Sequence, residues 1–225
     1  SNLQEYLAGT REHFVIVDPE ERKRMILEEA RRAAAAVSGR VLENDALLET
    51  VTYLVEYPTV VLGSFDESYL NLPQEVLITS MMSHQKYFPV VDGEDRLLPY
   101  FITVNNTLAR DPAVVTRGNE KVIRARLSDA RFFFEEDRKV PLENRVEGLK
   151  QVVFHTLLGT SYEKVERFRK LAAAIADRID PSLKSRVDRA ALLSKADLDT
   201  QMVGEFSELQ GIMGREYALL AGEDP

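Results

Sequence analysis

The sequence predicts an α+β protein, with a front α+β domain that carries a hairpin-containing sheet and helices, followed by an all-helical rear region. Two observations lead to this. Tyr87–Asp92 and Leu97–Val104 are apolar runs on either side of Asp92-Gly93-Glu94-Asp95, and a glycine in an acidic turn between such runs reads as a β-hairpin. From Asp111 onward only helical periods are visible, punctuated by Pro141, Gly159, Pro181 and Gly204. The expected domains are 1–150 and 151–225.

Taken in chain order, the apolar Phe14–Val17 reads as a short strand. A helix is predicted over Pro19–Val37. Asp18 suits the N-cap and Pro19 the first turn, Glu21 is spaced for a capping box, and Gly39 suits a left-handed stop. Its apolar stripe is Met25, Ile26, Ala30, Ala33 and Val37. A second helix over Asp45–Glu56 shows Leu47, Leu48, Val51, Leu54 and Val55 on one face and stops before Pro58. The β-branched Thr59–Phe65 reads as a strand. Pro73 opens a helix to about Ser83 with Val76, Leu77, Ser80 and Met81 on one side. Pro89 and Pro99 lack an N–H and are expected at strand edges or ends. Rear helices are predicted over Pro112–Asp137, Leu142–His155, Ser161–Arg178, Leu183–Met202 and Ser207–Leu220.

Composition excludes several function classes. The 225 residues contain no cysteine, which removes disulfides, thiolate metal sites and cysteine nucleophiles and fits a reducing, cytoplasmic setting. No apolar run approaches the roughly 20 residues that span a bilayer, so no membrane association is expected. A net charge of −8 rules out a globally basic DNA-coating protein but leaves room for a local basic surface. The chain starts Ser1-Asn2 without methionine, and we expect it to be an internal segment of a longer protein.

Few constellations carry chemistry. His13, His84 and His155 are far apart and lack the paired spacing of a metal site, so no metal ligands and no catalytic residues are assigned. There is no phosphate-binding glycine loop and no G-x-S-x-G elbow. The most polarised stretch is Arg117–Arg131, where Arg117, Lys121, Arg124, Arg126 and Arg131 face only Glu120 and Asp129. At about 100° per residue, Arg117, Lys121, Arg124 and Arg131 share one helical side, with Val122, Ala125, Leu127 and Ala130 as apolar surface. Such a side either grips phosphates by charge-assisted hydrogen bonds or is a solvated face with local ion pairs. Phe132-Phe133-Phe134 needs burial on two sides, with stacking on an RNA base as the alternative. Gly211 and Gly214 are spaced for close helix approach, and Glu205 and Glu208 are either an acid/base pair or acids at a helix start.

A run of ordered segments carries a family resemblance: Val15–Arg22 (VIVDPEER), Gln74–Val90 (QEVLITSMMSHQKYFPV), Leu97–Asn106, Gly118–Arg145, Leu149–Phe168, Ala190–Phe206 (AALLSKADLDTQMVGEF) and Glu208–Ala218 (ELQGIMGREYA). Through them the chain resembles the β subunit of the bacterial tetrameric glycyl-tRNA synthetase. The resemblance implies a class II aminoacyl-tRNA synthetase in which the α subunit activates glycine with ATP and Mg2+, while β recognises and positions tRNA(Gly). It implies a middle piece of β, with a B3/B4-like front and the opening helices of a degenerate HD-like domain, and without the anticodon-binding end. No cofactor belongs to this piece, and its expected partners are tRNA(Gly) and the α subunit. Ser194-Lys195 stands where an HD domain has its His-Asp pair, so the metal chemistry of that superfamily is not carried over. The leading expectation is a non-catalytic tRNA-binding and assembly segment. The alternatives are an HD-type metal-dependent phosphohydrolase and a structural docking module for the α subunit. Charge and spacing make Arg117, Lys121, Arg124, Arg126 and Arg131 the first phosphate-contact candidates, with Lys86 and Arg138 weaker.

Overall fold

A computed structural model describes residues 2–224. The fold is α+β, and the chain divides into two compact units, Ser1–Ser128 and Asp129–Pro225. Among the described residues no helix is long and apolar enough to cross a membrane.

The first unit contains α1 (Leu3–Glu12), α2 (Pro19–Ala35), β1 (Arg40–Val41), α3 (Asp45–Leu54) and β2 (Thr59–Ser64). It continues with α4 (Gln74–Thr79), which runs into a π-helical turn at Ser80–Gln85, then β3 (Phe88–Val91) and β4 (Leu97–Asn105). The four strands form one antiparallel sheet in the order β1-β3-β4-β2. The predicted hairpin is β3–β4. Ile26, Ala30 and Ala34 of α2 and Leu47, Leu48 and Val51 of α3 pack with Phe88, Val90 and Ile102 on one face of the sheet. Successive strand residues alternate faces, so Phe101 points to the other side and stacks on Tyr87 at 4.8 Å between ring centroids. Val76, Leu77, Ser80 and Met81, expected on one side, are all buried.

Several expectations in this unit are corrected. Phe14–Val17 is not a strand. Phe14 is left-handed at φ 60°, and the buried Arg22 guanidinium donates to the carbonyls of Ile16 and Val17, which a strand would use in its ladder. Asp18 caps α2 by accepting the N–H of Glu20, and Glu21 pairs with Arg11 instead of closing a capping box. The left-handed residue after α2 is Ser38. Gly39 is required for space, since a Cβ there would lie 2.5 Å from Val90 Cγ1. Leu54 is 61% exposed, because α3 ends there and the chain turns extended at Val55. Both prolines stand on interior strands: the register passes from Pro89↔Phe101 to Val91↔Leu97, and this shift absorbs the ladder irregularity at Pro89 and Pro99.

The helix α5 (Pro112–Asp137) has the predicted bounds, and the border between the units falls within it. The second unit adds a ribbon of β5 (Val153–His155) and β6 (Gly159–Thr160), then α6 (Ser161–Ile179), α7 (Lys184–Leu193), α8 (Gln201–Glu205) and α9 (Ile212–Leu220). The predicted helix over Leu142–His155 is instead two 3-10 turns and β5. A Cβ on Gly148 would lie 2.3 Å from the Asp199 carboxylate, so the backbone is pressed against the 196–199 turn. The predicted helix over Leu183–Met202 breaks at that turn, where the buried Asp197 accepts the N–H groups of Gly211 and Gly214. Gly211 is not a helix-packing residue; at φ 83° it is the left-handed N-cap of α9, and the close neighbour of Gly214 is the Asp197 side chain.

Candidate nucleic-acid interface

Helix α5 is anchored on the first unit by polar and apolar contacts on one side. The Tyr87 hydroxyl donates to Asn119 Oδ1 at 2.6 Å, and the N–H and hydroxyl of Ser64 both donate to Glu120 Oε1 at 3.0 Å. Ile123 and Leu127 are fully buried. This seam turns the helix so that Arg117, Lys121 and Arg124 are exposed. Among the described residues, none forms an ion pair with these three cations. Glu120, the nearby acid on the helix, accepts two hydrogen bonds from Ser64 and forms no salt bridge with them.

The other two candidates are placed differently. Arg126 is half-buried and engaged, on the side of α5 about 180° from Arg117 by helical geometry. Arg131 is also half-buried and engaged, and it belongs to the second unit. The apolar assignment on this helix is corrected as well: Val122 is 44% exposed and Ala125 is exposed, and the buried seam is Ile123, Leu127, Ala130 and Phe134. The three phenylalanines are not all buried. Phe134 stacks with Tyr217, Phe133 is half-buried and Phe132 is 54% exposed. Lys86 is exposed and donates to the Ser83 carbonyl, and Arg138 lies 5.4 Å from the Phe134 ring centroid.

His13 Nδ1 sits 2.8 Å from the Gly9 carbonyl, and His155 Nδ1 accepts the N–H of Leu157. Among the described residues no group of three or more His, Cys, Asp or Glu could hold a metal ion. The Ser194 hydroxyl donates to the Ala191 carbonyl. Glu205 and Glu208 are both exposed.

Sequence reasoning missed a cavity of about 610 Å³ in the second unit, lined in part by Arg186, Arg189, Arg215, Ser194 and Gly211. Its arginines are already matched by acids: Arg189 pairs with Glu143 and Glu223, Arg186 with Asp224 and Arg215 with Glu216. The Arg186/Arg189 spacing on α7 was a signal for it, but the opposing acids come from distant segments.

The family described as glycyl-tRNA synthetase beta subunit matches residues 1–225. A glycine–tRNA ligase beta subunit of Syntrophus aciditrophicus is 87% identical over 225 residues, covering 100% of this chain and 33% of its own length. Those of Geotalea uraniireducens and Geobacter sulfurreducens are each 61% identical, over 98% and 97% of this chain and 32% of their own lengths. The chain therefore spans about a third of the length of these relatives. With the whole chain matched, it belongs to the glycyl-tRNA synthetase β-subunit family.

Proposed function

We propose that this chain is a non-catalytic, tRNA-facing segment of the β subunit of a glycine–tRNA ligase. It would serve the ATP-dependent charging of tRNA(Gly) in the cytoplasm beside an α subunit that holds ATP and Mg2+. The observation that carries the reading is the exposed, unpaired set Arg117, Lys121 and Arg124 on a chain of net charge −8 that belongs to this family. Exposed cations on a rigid helix supply the phosphate contacts that set register on an RNA, without demanding a particular base. Arg126 and Arg131 are assigned a secondary part, since each is already engaged. The first unit, a sheet with helices on it, is compatible with a B3/B4-like domain, and the helical second unit with the start of a degenerate HD-like one.

The test is tRNA binding by this chain at two salt concentrations, with and without Lys121→Glu/Arg124→Glu. The expected result is salt-sensitive binding that the double variant weakens. Equal binding by variant and parent overturns the interface. Glycylation of tRNA by this chain alone overturns the non-catalytic assignment.

A further inference from the structure

The outer side of α6 carries an apolar stripe that nothing within the second unit covers. Val165 and Ala176 face inward and are buried, and Arg169 is fixed to Asp188 of α7 through two nitrogens at 3.0 and 2.8 Å. That orientation leaves Leu171, Ile175 and Ile179 62%, 48% and 78% exposed. Their spacing of four residues makes one continuous ridge. One turn pair toward the N-terminus, on the side of Leu171, Lys164 Nζ lies 3.6 Å from the ring centroid of the half-exposed Phe154, which extends the apolar surface onto the β5–β6 ribbon. Arg167 and Arg178 are exposed along the border of the ridge, and neither forms a salt bridge among the described residues.

We infer that this ridge is the seat of an amphipathic helix contributed by the same β-subunit polypeptide, with an aliphatic stripe and an acidic flank. Three features of the ridge and its family select this occupant. The ridge itself is aliphatic and packs side chains by ridge-into-groove contact, and the one ring at its end, Phe154, already has Lys164 Nζ 3.6 Å from its centroid, so the surface favours helix packing over base stacking. A second copy of the same face would bring Arg167 and Arg178 against identical cations, whereas an acidic flank neutralises them. The relatives contain about two thirds of their length beyond the part that this chain matches, which supplies the covering segment within one polypeptide. The inference rests on family membership and is independent of the tRNA-binding proposal.

The chain has no cysteine, so Ile175→Cys and Ile179→Cys each introduce a sole thiol here. Each is placed in this chain and, at the aligned position, in the intact β subunit of the Syntrophus aciditrophicus relative, with Glu94→Cys in the hairpin turn as an exposed control. N-ethylmaleimide modification is followed on the peptide bearing the substituted position. The expected result is rapid labelling in this chain and labelling at least about tenfold slower in the intact β subunit alone, because reaction there awaits local opening. The control should label rapidly in both. Rapid labelling of both variants in the intact β subunit overturns the inference. So does protection that appears only after α subunit is added, or protection already present in this chain through self-association. Amide hydrogen exchange across 167–179 in the two unsubstituted proteins provides a reading free of any effect of the substitution; unchanged exchange overturns the inference equally.

Discussion

The carboxylate of Asp137 accepts the hydroxyl of Tyr217 at 3.1 Å across 80 residues of sequence, joining the last residue of α5 to α9. The same carboxylate accepts the N–H groups of Gln201 and Met202 at 2.9 Å and lies 3.2 Å from Arg145 Nη2. Its side chain is fully buried, while Arg145 also donates to the backbone carbonyls of Asp137 and Asp199. Asp137→Ala would leave the Arg145 charge and three further donors without this partner. Removing one member of a buried ion pair costs about 3–5 kcal/mol. A urea denaturation midpoint should fall accordingly, whereas Lys121→Glu on the exposed side of α5 should shift stability by no more than about 0.5 kcal/mol.

Tyr217 gives this network a pH signature. Burial first, then the negative charge of Asp137 and the hydrogen bond to it, push the Tyr217 hydroxyl well above the ordinary tyrosine range. The folded state thus holds the proton more tightly than the unfolded state. The stabilisation is complete below the unfolded value of about 10 and is lost as pH rises above it toward the folded value. Tyr217→Phe lacks this linkage and the hydrogen bond, so it should be less stable near neutrality. The gap between it and the parent should close progressively above about pH 10 in urea midpoints measured from pH 8 to 11.

Two glycine-to-alanine changes should act in opposite directions. A Cβ on Gly63 of β2 would lie 2.3 Å from Phe101 Cζ, and Phe101 is fully buried against Tyr87. Overpacking there should cost about 1–3 kcal/mol. Gly118 lies inside α5 with nothing near its missing Cβ. Gly118→Ala should stabilise the chain by about 0.5–1 kcal/mol through helix propensity alone. Thermal midpoints of the two variants on opposite sides of the parent are the expected outcome.

Elements governed by their own residues were legible in the sequence. Pro112 and a sustained amphipathic period bounded α5, and a glycine turn between apolar runs marked the hairpin. What was not legible depended on partners distant in the sequence. Phe14–Val17 has strand composition, but Arg22 takes its carbonyls. Leu142–His155 has helical spacing, but the Asp199 side chain crowds Gly148. The candidate interface follows the same division. Periodicity placed Arg117, Lys121 and Arg124 on one side, and all three are exposed. That Arg126 and Arg131 would be half-buried depends on the seam through Ile123, Leu127 and Ala130, which the choice of Val122 and Ala125 as apolar surface obscured.

The interface makes a quantitative claim about salt. A cation that neutralises a phosphate releases counterions, and each such contact on a single-stranded or irregular RNA contributes about 0.7 to the slope of log affinity against log salt. Arg117→Gln, Lys121→Gln and Arg124→Gln should therefore each lower that slope by up to about one contact's worth and weaken binding to all tRNAs to a similar degree. Arg126→Gln should leave the slope near the parent value, because that guanidinium is half-buried and engaged on another side of α5. Filter binding of tRNA(Gly) and an unrelated tRNA across a salt series separates the cases. Equal slopes for the parent and the three exposed-site variants would place the RNA elsewhere. A loss confined to tRNA(Gly) would indicate base reading on this face in place of phosphate contact.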